Sequence, residues 1–535
     1  MAAVAMTQLL RTYALAANET QQTRNIAAAT PGLTFDIQAY DVDGNTVLDQ
    51  ETIETAVYPF LGPQRSKDDV NGARNALQKA YQARGYQTVI VEIPPQDARS
   101  GFIRLHVAEA PVGRFRVVGS NYYSLNQIKK QVPSIQEGKV PNITAAQKEV
   151  TALDQPDRRI APLIKPGKIP GTVDVDLRVN DTLPLHGSLE VNNDHAQNTT
   201  AVRTTASVSY ANLWQLGHTL SLIGLLSPKK FDDTRVFSGS YLAPISGTPW
   251  SILVSGYDSH SNVPLGVAAL GGTGVLGNGH TIGVRGILAL PPIGDVTQTL
   301  NFGIDYKHAF EKSPFSNPHI DVAAIDYFPL VGSYTLSADD GIDKVSLSLT
   351  LTMGLRGPSS SQAAFFNRRF LARSNFVHVN VEGEATHEMG ELGQIGLRFS
   401  EQLADGPLVS GEQFAAGGLT TVRGYLLSEA IGDDGVFSSL EMRSPSFSSS
   451  VNDFVGEPLF EEWRVHGFVD GAVIWVLDPL PEQQSRFKIA SVGLGTRVHA
   501  FSHLTSDLNV AFPLVDGAAT SAWRPYFQFS VKSEL

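Results

Sequence analysis

The segment Val345-Ser-Leu-Ser-Leu-Thr-Leu-Thr-Met-Gly-Leu355 alternates apolar and polar residues without a break. Every odd-numbered residue is apolar, and every even-numbered one is Ser, Thr or Gly. Successive side chains of a β-strand point to opposite faces, so this pattern predicts a strand with one apolar and one polar face. Val377–Glu382 and Phe527–Leu535 repeat the alternation. The chain from about Leu185 to its C-terminus therefore reads as all-β.

Alternation of this kind fits either a membrane barrel or a soluble β domain. Strand length favours the barrel, because a strand that crosses lipid needs about nine to eleven residues. No apolar run reaches the roughly 18 residues of a transmembrane helix, so a membrane span would have to be a closed barrel. About 350 residues accommodate about sixteen strands with their loops. We predict an all-β transmembrane barrel of about sixteen antiparallel strands over residues 183–535, with a large soluble β domain as the alternative.

The preceding region, residues 33–182, mixes strands with helices. The first group of elements comprises strand Leu33–Ile37, helices Asp49–Ile53 and Val70–Arg84, and strands Thr88–Ile93 and Phe102–Val107. The second group comprises strand Phe115–Val118, helices Leu125–Val132 and Thr144–Leu153, and strand Val173–Val179. The repetition predicts two copies of one small α/β module, at residues 33–110 and 111–182.

Composition excludes several classes of function. The formal charge is 41 − 53 = −12, which argues against a nucleic-acid partner because phosphates require a basic face. The chain has no cysteine, and its histidines lack metal-ligand spacing. Gly272–Gly277 matches a dinucleotide-binding pattern, but no βαβ unit surrounds it, so a turn explains it better. We predict no enzymatic activity, catalytic residue, cofactor or metal site.

The N-terminal residues 1–32 are rich in Ala, Thr, Asn and Gln and predict a linker or a plug helix. Met1–Ala17 is a poor secretory signal, because Arg11 is its single basic residue and polar residues interrupt its apolar part. The start of the chain could be misassigned, its signal could be atypical, or the protein could remain inside the cell.

Several segments resemble the two-partner secretion transporters (TpsB proteins), the haemolysin and filamentous-haemagglutinin export family. Those before the barrel are Val42–Leu48, Ala80–Tyr86, Ile93–Asp97 and Pro166–Val173. Those in the barrel are Asn192-Asn193, Tyr210–Leu213, and Gly411-Glu-Gln-Phe-Ala-Ala-Gly-Gly418 followed by Val422-Arg-Gly-Tyr425. The last of these is the most specific, and the resemblance extends from about residue 33 to residue 535.

The resemblance implies two POTRA domains and a barrel whose sixth loop folds back into the pore. Val422, Arg423, Gly424 and Tyr425 would form the loop-six motif, approached through Glu412, Phe414, Gly417 and Gly418. The motif's arginine would contact Asp470 of the wall segment Phe468-Val-Asp-Gly-Ala472.

Alternation places Phe468 and Asp470 on the lumen side if Val465 and Gly467 face lipid. We expect solvent screening to reduce the net energy of the Arg423–Asp470 pair to about 1 kcal/mol or less.

Two positions depart from the family pattern. Ala472 stands where the family usually has glycine, and the chain ends on Leu535 where the family usually has an aromatic residue. The first departure bears on close backbone packing at the loop, and the second bears on recognition of the last strand during assembly.

The function implied is that of an outer-membrane translocator of a Gram-negative bacterium, acting in type V secretion. Its periplasmic POTRA domains would bind an unfolded, TpsA-like exoprotein through an N-terminal secretion domain, and the barrel would export it. Its other partners would be the outer-membrane bilayer and the barrel-assembly machinery. A BamA-class assembly factor and a passive porin are the alternatives.

Overall fold

The computed structural model describes residues 34–261, 265–266, 275–276, 278–312 and 321–535. The chain divides into two compact units, with the boundary between Pro184 and Leu185. The N-terminal segment 1–32 lies outside the described residues, as does most of Gly272–Gly277.

In its described part, residues 34–184, the first unit contains two three-stranded sheets and four α-helices. Its strands are β1 Phe35–Ile37, β2 Ala39–Asp43, β3 Gly62–Arg65, β4 Ile90–Glu92, β5 Phe102–Ala108, β6 Val112–Val118, β7 Arg158–Pro166 and β8 Val173–Asp181. Its helices are α1 Gln50–Val57, α2 Lys67–Ala83, α3 Leu125–Lys130 and α4 Ile143–Leu153. The sheets have the orders β2-β5-β4 and β6-β8-β7, and β1 pairs separately with β3. Each three-stranded sheet is associated with its own apolar cluster.

Local signals explain where the helices of this unit begin and end. Ser66 and Asp69 form a reciprocal capping box that starts α2, and Gly85 follows its end with φ +94°. Among the residues described, no helix has both the length and the apolar composition needed to cross a membrane.

Strand β7 was missing from the sequence prediction, which is wrong at this point. Pro162 and Pro166 lie in β7, and proline normally argues against a strand. They are tolerated because β7 is an edge strand. The Ile160 N–H donates to the Asp154 carboxylate at 2.8 Å, so the backbone nitrogens of even-numbered residues in β7 point away from the neighbouring β8. Both prolines are even-numbered, so their missing N–H groups remove no hydrogen bond to β8.

The second unit is a closed antiparallel barrel. The wall strands are β9 Leu185–Asn192, β10 Arg203–Leu213, β11 His218–Leu226, β12 Thr234–Pro244, β13 Trp250–Ser261, β16 Gly279–Ile293, β17 Val296–Lys312, β18 Asp321–Tyr327, β19 Pro329–Asp339, β20 Asp343–Gly354, β21 Val377–Glu388, β22 Gln394–Ala404, β25 Asp434–Arg443, β26 Phe460–Trp475, β27 Arg486–Ala500, β28 Leu504–Pro513 and β29 Tyr526–Glu534. Outside the wall are the short strands β14 Leu265–Gly266, β15 Val275–Leu276, β23 Phe414–Ala416 and β24 Ala430–Gly432, and the helices α5 Gln362–Arg368 and α6 Ser448–Val455.

β18 and β19 pair with successive parts of β17 and together occupy one position in the wall. The wall therefore has sixteen strand positions, which confirms the predicted fold class.

The alternation seen in the sequence is the alternation between the outer face of the barrel and its lumen. Leu349 and Leu351 are exposed on the outer face of β20. Thr350 and Thr352, which alternate with them and face the lumen, are buried. The barrel closes where β29 pairs with β9, from Ser530↔Asn192 to Glu534↔Ser188.

Candidate functional site in the barrel lumen

Residues 405–433, here called loop six, connect β22 to β25. Within the loop, β23 and β24 form a two-stranded sheet of their own, separate from the barrel sheet. The motif Val422–Tyr425 lies between these two strands. Its side chains meet residues of the wall strands, so the loop enters the lumen.

Arg423 makes the densest set of polar contacts in the loop. Its Nε donates to Asp470 Oδ2 at 2.8 Å and its Nη2 to Asp470 Oδ1 at 2.9 Å, which is a bidentate pair. Its backbone N–H donates to Asp470 Oδ2 at 3.1 Å, and its Nη1 donates to Glu441 Oε2 at 2.6 Å. The guanidinium carbon lies 3.5 Å from the centre of the Phe468 ring. We call Arg423, Asp470, Glu441 and Phe468 together the tip site.

The wall presents this patch because two neighbouring strands are in register. Ser439 of β25 lies opposite Asp470 of β26, and Glu441 lies opposite Phe468. All four side chains face the lumen, while Leu440 and Val469 between them are exposed on the outer face. Strand pleating therefore brings together two carboxylates, a hydroxyl and a ring around one arginine.

The expectation that solvent screens this pair is wrong. Arg423 is 3% exposed and Asp470 is 1% exposed, because apolar residues of loop six and the wall, including Val422, Tyr425 and Ala472, form a buried cluster. For a buried pair, loss of one partner costs about 3–5 kcal/mol because the other charge remains unpaired. The methyl group of Ala472 is accommodated in the cluster.

Gly424 and Tyr425 attach the same tip to the strands near the closure of the barrel. The Gly424 N–H donates to Gln528 Oε1 of β29 at 2.8 Å, and its φ is +89°. The Tyr425 hydroxyl lies 2.9 Å from the Ala490 carbonyl oxygen and 2.7 Å from that of Val515.

Glu412 holds the beginning of the loop against strands far from the tip. Lys307 Nζ of β17 donates to its Oε1 at 2.6 Å, as does the Tyr327 hydroxyl of β18 at 2.8 Å. His378 Nε2 of β21 lies 3.3 Å from its Oε2. Glu412 is buried. We call these four residues the root site.

The end of the loop is held through Asp433, which is completely buried. Its carboxylate accepts the N–H groups of Leu408 at 2.9 Å and Leu477 at 2.7 Å, and it also pairs with the Arg369 guanidinium. The carboxylate thus joins three loops at the rim of the barrel.

The other residues of the predicted approach serve backbone geometry and packing. Phe414 belongs to the apolar cluster around Val422 and Tyr425. Gly417 has φ +112°, and a Cβ there would lie 2.3 Å from the Leu426 carbonyl oxygen. Gly418 lies against Asp194, whose carboxylate accepts the Leu419 N–H at 3.2 Å.

Sequence reasoning did not identify Glu441, Lys307 or Asp433. A signal existed for Glu441, because a charged residue between Leu440 and Met442 occupies a lumen position by alternation. The same signal existed for Lys307, because Phe302, Ile304 and Tyr306 alternate with it on the outer face of β17. Its partner Glu412 could not be identified in this way, because the two residues are remote in sequence.

The lumen site has the chemistry of a reversible attachment. It consists of ion pairs and hydrogen bonds between a loop and a wall. Among the described residues, no group of three His, Cys, Asp or Glu side chains is placed to hold a metal ion.

Known proteins with related sequences share this plan. A model of the ShlB-type POTRA domain matches residues 35–110, and a model of the haemolysin secretion/activation protein ShlB/FhaC/HecB matches residues 171–495. The heme/hemopexin transporter protein HuxB of Haemophilus influenzae is 22% identical in a 521-residue alignment that covers 93% of this chain and 87% of HuxB.

Two solved structures illustrate the similarity in fold. CdiB from Escherichia coli has a TM-score of 0.65 at 18% identity, covering 99% of this chain and 98% of CdiB. BamA from Haemophilus ducreyi lacking POTRA domains 1–3 has a TM-score of 0.54 at 14% identity, covering 94% of this chain and 100% of that one. At these identities the similarity is one of fold.

Proposed function

The chain belongs to the haemolysin secretion/activation family ShlB/FhaC/HecB of two-partner secretion transporters, and from that premise we propose how it secretes its client. In this proposal the barrel sits in the outer membrane of a Gram-negative bacterium. The POTRA unit binds an unfolded TpsA-like exoprotein through its N-terminal secretion domain, and the exoprotein crosses the lumen when loop six moves aside. Folding of the exoprotein outside the cell then prevents its return.

The attachment of loop six by side chains carries this proposal. Because β23 and β24 pair with each other and not with the wall, the loop can move without breaking the barrel sheet. Movement of the tip instead breaks the contacts of Arg423 with Asp470 and Glu441. A gate of this kind is closed at rest and can open for a client.

The proposal is tested by secretion of a co-expressed partner. The chain, behind a working signal peptide, is expressed with the product of a neighbouring large β-repeat gene, and the medium is assayed for that product. We expect secretion with wild type and much less with Arg423→Ala at equal membrane levels. A loop released from Asp470 and Glu441 lets ions pass, but it no longer moves between two defined positions and so obstructs the path of a polypeptide.

The matched control is Arg497→Ala, which removes another arginine–aspartate pair of the wall, 2.7 Å from Asp507, and leaves the contacts of Arg423 with Asp470 and Glu441 in place. Failure of wild type to secrete the partner despite a folded barrel would count against this pairing. Single-channel conductance and an assembly assay would then distinguish a porin from a BamA-class factor.

Client capture is proposed to occur by strand addition at β7, the open edge of the second sheet. The opposite edge strand, β6, is partly covered, because the Phe115 N–H donates to Glu137 at 2.9 Å and its carbonyl accepts Lys129 at 2.8 Å. Along β7, the Ile160 N–H is used by Asp154, and the two prolines offer no N–H. The edge therefore presents mainly carbonyl groups, which an extended client can satisfy with its own N–H groups.

Cysteine crosslinking tests this step, because the chain has no native cysteine. Ala161→Cys places a thiol on the exposed face of β7, and Lys148→Cys places one on the exposed face of α4. We expect a client fragment with a single cysteine to form a disulfide with the former and much less with the latter. Equal crosslinking at both positions would contradict capture at β7.

The barrel-assembly machinery is the proposed route of insertion, with β29 as the strand that it recognises. Phe529 is the nearest aromatic residue to the C-terminal Leu535 on the same outer face. We expect Phe529→Ala to reduce the amount of folded barrel in the membrane more than Leu535→Ala does.

A further inference from the structure

One connection at the periplasmic end of the barrel differs from the others. β9 starts at this end, where the POTRA unit is joined, so the turns that follow β10, β12, β16, β19, β21 and β27 also lie here. These turns contain two to five residues, whereas residues 444–459 between β25 and β26 contain sixteen and include helix α6. A helix is not needed to reverse the chain, so its presence calls for a physical explanation.

Hydrogen bonds hold this connection against the first residues of β26. The Asn452 amide donates to the Phe460 carbonyl at 2.8 Å and its Oδ1 accepts the Phe460 N–H at 3.0 Å. The Phe447 N–H donates to the Trp463 carbonyl at 2.7 Å. Helix α6 therefore has a defined place beside residues 460–463.

Its apolar residues are nevertheless exposed. Phe454 is 92% exposed, Val455 47% and Phe447 44%. With Val451 they follow helical spacing and form one stripe, while Ser449 and Asp453 lie on another side. An exposed phenylalanine on a short, anchored helix is costly in water and indicates an apolar surrounding.

The stripe is continuous with the surface of the barrel that faces lipid. Val465 and Val469 are exposed on the outer face of β26, whereas His466 and Phe468 are buried on the lumen side. Trp463 is two residues from Val465 and so shares its outer face. The Trp463 and Phe460 rings lie 5.3 Å apart, and the indole N–H donates to Thr496 at 3.0 Å. An aromatic pair with one polar contact is typical of the boundary between lipid and water.

We propose that α6 is an interfacial helix that lies in the headgroup region of the periplasmic leaflet, with Phe447, Phe454 and Val455 inserted towards the acyl chains. Residues 444–459 contain no Lys or Arg, so apolar burial and not attraction to anionic lipid drives the contact. The helix connects β25 and β26, the two strands that carry Glu441 and Asp470. It therefore sets the depth in the bilayer of the strands that hold the tip of loop six.

Spin labelling tests this placement in the full chain, which has no native cysteine. Phe454→Cys and Ser449→Cys are each labelled with a nitroxide and reconstituted in phosphatidylcholine–phosphatidylethanolamine vesicles. Val469→Cys gives the lipid reference and Lys148→Cys the water reference, and heat-modifiable migration verifies that each barrel is folded. We expect the ratio of oxygen to nickel-complex accessibility to be severalfold higher at Phe454 than at Ser449.

Equal ratios at Phe454 and Ser449, both close to the water reference, would overturn the proposal. Protection of Phe454 that develops only when the exoprotein is added would also overturn it and would identify α6 as a client surface. A Phe454→Trp variant in brominated lipid provides a second measurement, because its added fluorescence is quenched only if the helix lies in the bilayer.

Discussion

The tip and root sites hold the same loop, but their charges are arranged in opposite ways. At the tip the loop supplies the cation, Arg423, and the wall supplies the carboxylates of Asp470 and Glu441. At the root the loop supplies the carboxylate of Glu412, and the wall supplies Lys307. A loop inserted in the wrong orientation would bring like charges together, so the reversal specifies one placement of the loop.

The two sites also differ in rigidity. The planar guanidinium of Arg423 is fixed by a bidentate pair and by the Phe468 ring beneath it. The root relies on the flexible side chain of Lys307, aided by Tyr327 and His378. We expect the tip to depend strictly on geometry and the root to tolerate change.

The largest effect is expected from Arg423→Ala, measured as single-channel conductance. The variant leaves Asp470 buried without a cation, at a cost of about 3–5 kcal/mol, so the tip should detach and ion conductance should rise. Arg423→Lys keeps the charge but loses the planar guanidinium that contacts both Asp470 oxygens, and we expect an intermediate conductance. Conductance equal to that of the Arg497→Ala control would show that the tip pair does not hold the loop.

A smaller effect is expected from Glu412→Gln in the same recording. The amide can still accept a hydrogen bond from Tyr327, and the Lys307 side chain, which is 18% exposed, keeps contact with water after it loses its anion. The cost is therefore smaller than at the more deeply buried tip pair, about 1–3 kcal/mol. Removing both charges with Glu412→Gln and Lys307→Met should restore part of the closed state, because no unpaired charge remains. If the conductance of the double variant is higher than that of the single variant, the root acts through packing and not through its ion pair.

Gly424→Ala tests the backbone of the tip without changing a charge. Alanine disfavours φ +89°, and its Cβ would lie 2.9 Å from that of Ala511, so we expect a loss of about 1–2 kcal/mol in loop attachment. Gly471→Ala is the control, because there the nearest atom to the new Cβ is 4.0 Å away. Equal protease sensitivity of loop six in the two variants would contradict a conformational role for Gly424.

The smallest effect is expected for an ion-pair cluster with solvent-exposed partners. Asp176 of β8 pairs with Arg116 at 2.8 Å and with Lys165, and hydrogen bonds from these two side chains hold the pKa of Asp176 well below its ordinary value. Because its pKa is lowered on folding, its contribution to stability is present above about pH 4 and is lost as the pH falls through the folded-state pKa.

We therefore expect Asp176→Asn to lower the free energy of unfolding of the unit 34–184 by about 1 kcal/mol at pH 7. The difference from wild type should shrink as the pH is lowered below about 4. Urea unfolding at several pH values measures it, with Asp97→Asn as the exposed control. A difference independent of pH would assign the effect to packing.

Much of the fold could be predicted from local pattern. The alternation in residues 345–355 predicted the barrel strand because pleating is a property of each strand by itself. β7 could not be predicted in the same way, because Pro162 and Pro166 are acceptable only at a sheet edge. That edge exists only once β8 has paired with β6 and β7.

The candidate site could be predicted in part. The pairing of Arg423 with Asp470 came from resemblance to a family, and alternation placed Asp470 in the lumen. The resemblance also marked Glu412, but its contacts with Lys307, Tyr327 and His378 come from three strands that are distant in sequence. The functional roles of these residues remain predictions until the variants are measured.

The sequence by itself determined which side chains face lipid and which face the lumen, because that choice follows from the position of each residue along its own strand. Only the tertiary structure decided which lumen residues meet. Closure of the barrel and the register of all its strands set the height and direction of each side chain, and together they place Glu441 beside Asp470 and Lys307 beside Glu412. Burial of these charges, and with it the strength of the attachment, follows from the loop that covers them.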